Sequence, residues 1–344
     1  MFKKLTIIFS VLILTACGVD QVESNDKNGE KLEIYTTIYP LAYFAEQIGT
    51  DYVDVSTILP AGSDPHNYEP TSKTMVDIAN SDLFIFNGVQ LEVFADKIST
   101  SLAEEDVVIL EAAEGLEFDE SLTEDDHKEH SHEGHDHHAD DEEHAHHEHA
   151  NEENHNHDSH DEDDHGHSHG DIDPHIWLDP PYAVQMAENI KDSLVDLMPE
   201  HQTIFENNFE DLKNRLSHLD KEFNQQISQA ERKELVVTHA AYGYWEQRYG
   251  IEQIAITGIS PSDEPSQKKL EEIIEIVKEK KIEYILFEQN VQPKVATVIQ
   301  QEAGADILYL HNLSVLTEEE IDNKEDYFTL MKRNLEVIDQ ALNN

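Results

Sequence analysis

Two Asp-Pro-His triplets stand out as residues able to do chemistry. Asp64-Pro65-His66 follows an apolar run, and Asp173-Pro174-His175 leads into Ile176-Trp177-Leu178-Asp179-Pro180. Two more groups come directly after apolar runs of strand character: His239 after Leu235–Thr238, and Glu288 after Tyr284-Ile285-Leu286-Phe287. Imidazole is a preferred ligand for zinc, copper, nickel and cobalt, and carboxylates serve divalent cations generally. Taken singly, each has an ordinary explanation: a histidine in a turn, or a glutamate paired with a lysine. Taken together they fall where open parallel sheets bind ligands, beyond the carboxyl ends of strands. His311 also follows a strand and is a weaker candidate, whereas His201 and His218 read as boundary positions on a long helix. Asp64, Asp173 and Asp179 are near enough in sequence to fix imidazole tautomers. Packing is the plainer role for Tyr68 and Trp177.

A second concentration of ligands is of another kind. Sixteen of the 22 histidines lie between His127 and His169, among them His135, His137, His138, His144, His146, His147 and His149. Over residues 117–171 the composition is His, Asp and Glu with few apolar residues, so it cannot offset chain entropy by burial and is expected to be a disordered loop. Such a chain binds several ions weakly and exchanges them fast. It serves as an accessory metal collector, because ordering its ligands carries an entropic cost.

The candidate ligands need elements to position them. Runs at Leu32–Thr37, Val53–Leu59, Leu83–Asn87 and Val107–Leu110 alternate with helical patterns at Leu41–Ile48, Ser72–Ala79 and Leu91–Leu102. After the acidic segment, runs at Leu235–Thr238, Gln253–Ile259, Tyr284–Phe287 and Asp306–Leu310 alternate with Tyr242–Tyr249, Ser266–Lys281 and Val291–Ala303. A terminal helix is expected near Tyr327–Leu342. The alternation predicts an α/β fold of two similar lobes, each a roughly four-stranded parallel sheet flanked by helices. Pro181–Met198 reads as one helix, and Phe205, Phe209, Leu212, Leu216, Leu219 and Phe223 form the apolar stripe of a second. This predicts an N-terminal lobe over 31–198, a long rigid linking helix over 199–230 and a C-terminal lobe over 231–344.

The first residues set the compartment. Lys3 and Lys4 precede the apolar stretch Leu5–Leu14, shorter than the roughly 20 residues a membrane-spanning helix needs but suited to a signal peptide. It runs into Leu14-Thr15-Ala16-Cys17, a small-residue cleavage site ending at the only cysteine. Residues 1–17 are read as a signal peptide with a lipobox, Cys17 as the lipidated anchor to the cell membrane, and 18–30 as a polar tether. A lone cysteine forms no internal disulfide, so stability must come from burial. The net charge of −51 and the lack of a basic stripe exclude nucleic acid as a partner.

The two Asp-Pro-His triplets, His239 after a strand, and Phe287-Glu288-Gln289-Asn290-Val291 resemble the zinc-binding members of the metal-receptor family of ABC importers, over essentially the whole mature chain. That resemblance implies two α/β lobes joined by a rigid helix with Zn²⁺, the transported ligand, at their interface. It implies His66, His175 and His239 as ligands and Glu288 as the carboxylate, an N₃O set suited to tetrahedral zinc, while some zinc relatives complete the site with water or with a carboxylate near the first histidine. Manganese relatives commonly carry Glu at the position of His239. It implies an ABC permease in the membrane as partner, a monomer, and capture without catalysis. No His-Glu-x-x-His or Gly-x-Ser-x-Gly motif supports a hydrolase. A receptor for manganese or another divalent metal, and a surface adhesin or metal buffer, are the alternatives.

Overall fold

The computed structural model describes residues 31–118, 172–263, 265–289 and 294–343. Cys17, the tether and the histidines of the 117–171 segment lie outside the described residues. Among the described residues no helix is long and apolar enough to cross a membrane.

Among the described residues, eight strands form two sheets of identical topology. In the N-terminal half β1 (Leu32–Thr36), β2 (Val53–Thr57), β3 (Leu83–Phe86) and β4 (Val108–Glu111) are parallel in the order β2-β1-β3-β4. In the C-terminal half β5 (Glu234–Val237), β6 (Glu252–Ala255), β7 (Tyr284–Phe287) and β8 (Asp306–Tyr309) repeat this as β6-β5-β7-β8. The central strands read as unbroken apolar runs because helices cover both faces; all four residues of β3 are buried. In register, Thr36 pairs with Ile85 as Val237 pairs with Leu286. Asn87 and Glu288 therefore occupy equivalent positions, one residue past the third strand of each set.

The connecting helices start where capping chemistry allows. In the first half these are α1 (Tyr39–Gly49), α2 (Ser72–Ala79) and α3 (Ala95–Ser101), with the Thr71 hydroxyl accepting from Thr74 N at the start of α2. The helix anticipated over Leu91–Leu102 is shorter. Gly88, Val89 and Gln90 all have positive φ, and the Glu92 carboxylate folds back to accept from Asn87 N and Gly88 N, so this stretch is a turn.

Between the sheets run α4 (Pro180–Leu197) and the 27-residue α5 (Gln202–Ser228), about 40 Å long at 1.5 Å per residue. Phe205, Phe209, Leu212, Leu216, Leu219, Phe223 and Ile227 of α5 are all buried. That stripe packs on α4 and α1 on one side. On the other it meets α6 (Gly243–Tyr249) and α10 (Tyr327–Leu342). The long helix is thus a shared wall of one core that includes residues of both sheets. Of the remaining helices, α7 (Gln267–Lys280) and α8 (Lys294–Ala303) cover the second sheet, and α9 (Glu318–Asp322) lies beside a cavity lined by α1 and β2.

Candidate metal centre

Both Asp-Pro-His triplets fold the same way. Asp64 Oδ1 accepts from His66 N at 3.0 Å, and Asp173 Oδ1 accepts from His175 N at 2.9 Å. The proline between them has no N–H and a fixed φ, so the aspartate reaches the amide two residues on. Asp173 does more: its Oδ1 also lies 2.7 Å from His175 Nδ1. That contact places the ring proton on Nδ1 and leaves the Nε2 lone pair facing away.

The Nε2 atom of His175 stands 3.2 Å from that of His66 and 3.2 Å from that of His239. One ligand atom from each of the three lies within 4.8 Å of the others, the one such group among the described residues. Two bonds of roughly 2.0–2.1 Å at a tetrahedral angle separate their nitrogens by about 3.3–3.4 Å, so these edges fit one small cation. His175 and His239 are 1% and 0% exposed, whereas His66 is half-buried. Burial, then repulsion from His175 and His239, holds His66 far below its ordinary value, at about 2, so its imidazole is neutral. Burial opposes charge on His239 as well, but the carboxylates of Glu288, Asp173 and Asp64 outweigh it and raise its pKa.

Glu288 stands elsewhere than the fourth ligand position expected for it. Its Oε1 lies 2.5 Å from His239 Nδ1, on the far side of that ring from the cluster, and its Oε2 accepts from Asn312 Nδ2 at 2.7 Å. The end of β7 points the carboxylate at the back of the His239 ring, and Asn312 keeps it there. It therefore orients His239 in this geometry.

The other candidates are accounted for by their neighbours. His311 Nδ1 accepts from Leu313 N and its Nε2 faces Glu320, which commits both ring nitrogens to the loop after β8. His218 is exposed beside Glu222, and His201 stacks on Tyr52. Asp179 forms a two-pronged pair with Arg248 and does not reach the cluster. Tyr68 packs edge-on against Phe94, and Trp177 is fully buried 5.3 Å from the His175 ring.

Sequence reasoning missed how the His175 segment is clasped. Trp177 Nε1 donates to Asn312 O, Tyr327 OH to Trp177 O, Tyr244 OH to Asp173 O, and Trp245 Nε1 to Leu178 O. All four partners come from the C-terminal half. From the N-terminal half, Asn87 Nδ2 donates to Pro174 O. Asn312 was the least legible, though a polar residue just beyond an apolar strand is the kind of signal that marked Glu288. Gly243 leaves room for this carboxylate, since a Cβ there would stand 2.7 Å from Asp173 Oδ2.

Residues 34–341 match the family described as zinc-uptake complex component A, periplasmic. The chain is 33% identical over 347 residues to the zinc-binding lipoprotein AdcA of Streptococcus pneumoniae strain R6, covering 98% of this chain but 61% of that protein. It thus spans about three fifths of that relative's length. It is also 33% identical to the high-affinity zinc uptake system protein ZnuA of Bacillus subtilis, with 99% of each covered. Among solved structures, the Zn(II)-bound ZnuA-like domain of S. pneumoniae AdcA superposes with a TM-score of 0.69 at 31% identity, over 91% of this chain and 100% of that one. The laminin-binding protein Lmb of Streptococcus agalactiae, described as an adhesin with metal-transporting activity, superposes at 0.70 with 26% identity, over 90% and 99% of the two chains.

Proposed function

We propose that this chain, which belongs to the periplasmic zinc-uptake complex component A family, is the extracytoplasmic receptor that captures Zn²⁺ and delivers it to an ABC-type permease. The observation that carries this reading is the convergence of the His66, His175 and His239 Nε2 atoms with 3.2 Å edges about His175. Three nitrogen donors favour zinc over manganese, which prefers more oxygen; copper, nickel and cobalt suit the same donors and should also bind. Glu288 serves by holding His239. A buried carboxylate engaged on both oxygens is a poor general base, which supports a receptor over a hydrolase.

Capture joins the two halves. His66 comes from the loop after β2 and His239 from the end of β5, while His175 sits on the segment clasped by both halves. Bound metal therefore biases how the halves sit against each other, and that bias is what a permease would read. The histidines of the 117–171 segment would raise the local zinc concentration, and Cys17 would hold the receptor at the membrane as a monomer. The deciding experiment is a competitive zinc titration, against a chromophoric chelator, of the chain with residues 120–170 deleted. One tight equivalent is expected. Its absence would remove the three-histidine site and leave a passive buffer built on the deleted segment.

A further inference from the structure

The metal cluster has a closed back and an open side. Behind His239 stand Glu288 and Tyr242, with Asn312 behind Glu288, and behind His175 stand Asp173 and Trp177, all buried. His66 is the one member of the cluster with partial exposure, and it lines a cavity of about 290 Å³. One water needs roughly 10–15 Å³ of such space, so a cation fits there with several waters still attached. Val89 and Gln90 line one side of this cavity from the N-terminal half. Ile259, Ser260 and Asp263 line the other from the C-terminal half. The cavity of about 190 Å³ between α1 and the Val315–Ile321 stretch does not touch the cluster, and neither does the larger one beside the start of α7.

We propose that zinc enters and leaves the cluster through the cavity beside His66, with Val89–Gln90 and Ile259–Asp263 as the two walls of the passage. The inference rests on the three-histidine reading of the site. The first wall is built rigidly. Three successive residues of positive φ, Gly88, Val89 and Gln90, are held by the Glu92 carboxylate, which accepts from Asn87 N at 2.8 Å, Gly88 N at 3.2 Å and the Thr37 hydroxyl at 2.5 Å. The opposite wall carries an exposed carboxylate, Asp263, whose Oδ2 accepts from Ser260 N at 3.2 Å. Negative charge at the mouth of a narrow, low-dielectric cleft concentrates cations there. Ile172, which follows the histidine-rich stretch in the sequence, also lines the cavity.

A passage affects rates and leaves the end states alone, which gives it a distinct test. Full-length protein carrying Ser260→Trp is mixed with zinc in a stopped-flow instrument, and zinc-loaded protein is chased with a fluorescent chelator. Association and release of the tight equivalent are both expected to slow by about tenfold, with the dissociation constant little changed. Gln90→Trp, which narrows the passage from the opposite and exposed wall, should do the same and stands in if Ser260→Trp fails to fold. Lys332→Trp, in the groove between α5 and α10, should leave both rates alone. Tight binding with unaltered rates in the two wall variants, or equal slowing by Lys332→Trp, overturns the passage. Absence of a tight equivalent in the unsubstituted protein overturns the site itself and the passage with it.

Discussion

At the scale of single residues, the site is a matter of which ring nitrogen faces where. Asp173 holds His175 Nδ1 and Glu288 stands at His239 Nδ1, so each Nε2 is presented to the cluster by a carboxylate behind it. Groups that orient a metal-binding histidine commonly change affinity by about 10–100-fold when removed. Glu288→Gln is therefore expected to weaken zinc binding within that range in a chelator competition, while His175→Ala abolishes the tight equivalent. Gly243→Ala should weaken zinc binding without touching a ligand, because the added methyl displaces Asp173. Unchanged affinity in Gly243→Ala would show that the Asp173 contact has no influence on His175. The Asp-Pro-His pattern and the strand-end positions were legible in the sequence because local turn chemistry fixes them. The direction of Glu288 was not: spacing places a residue at a strand end, but which side of His239 it meets depends on Asn312 in another loop.

At the scale of elements, all eight anticipated strands formed, since unbroken apolar runs between helical patterns are hard to satisfy otherwise. What the sequence hid was non-local or non-periodic. The turn at Gly88–Gln90 shortened α3, and the five-residue α9 is too short to show a period. That short helix relies on a capping box between Thr317 and Glu320, with His311 against the same carboxylate. Burial alone would raise the Glu320 pKa, but the His311 ring and the Thr317 amide and hydroxyl lower it to about 2. A folded value below the ordinary 4.5 means that its ionised form stabilises the fold above pH 4.5. This contribution is lost as the pH falls from there towards 2. Thermal melts should show it as an acid-side decline that is shallower in Glu320→Gln, a variant already less stable at neutral pH. In α5, Leu216→Ala removes a fully buried side chain from the shared wall and should lower stability by about 2–5 kcal/mol in chemical denaturation.

At the scale of the whole molecule, the histidines proposed as ligands, His66, His175 and His239, bring together stretches far apart in the chain. A metal bound only by the folded state adds RT ln(1 + [L]/Kd), about 2.7 kcal/mol at a hundredfold excess over Kd. Zinc should accordingly raise the melting temperature of the intact protein, and His175→Ala should remain folded but lose most of that rise. An undiminished rise in this variant would assign it to weak binding elsewhere. The parallel four-stranded build of both halves was readable from alternation alone, but the strand order and the clasp on the His175 segment were not, because the partners of the clasp, Tyr244, Trp245, Asn312 and Tyr327, carry no spacing relation to it.

The wall formed by α5 has a consequence for how the protein comes apart. Two sheets of the same topology suggest two bodies that could melt one after the other, yet Leu216, Phe223 and their neighbours belong to a core contributed by both. Loss of either sheet strips one side of that helix and leaves an apolar face in water. Calorimetry should therefore record a single transition for the folded chain, with the enthalpy from its area matching that from its steepness. Cut in the turn between α5 and β5, the chain would leave two fragments, each lacking the surface the other was folded against.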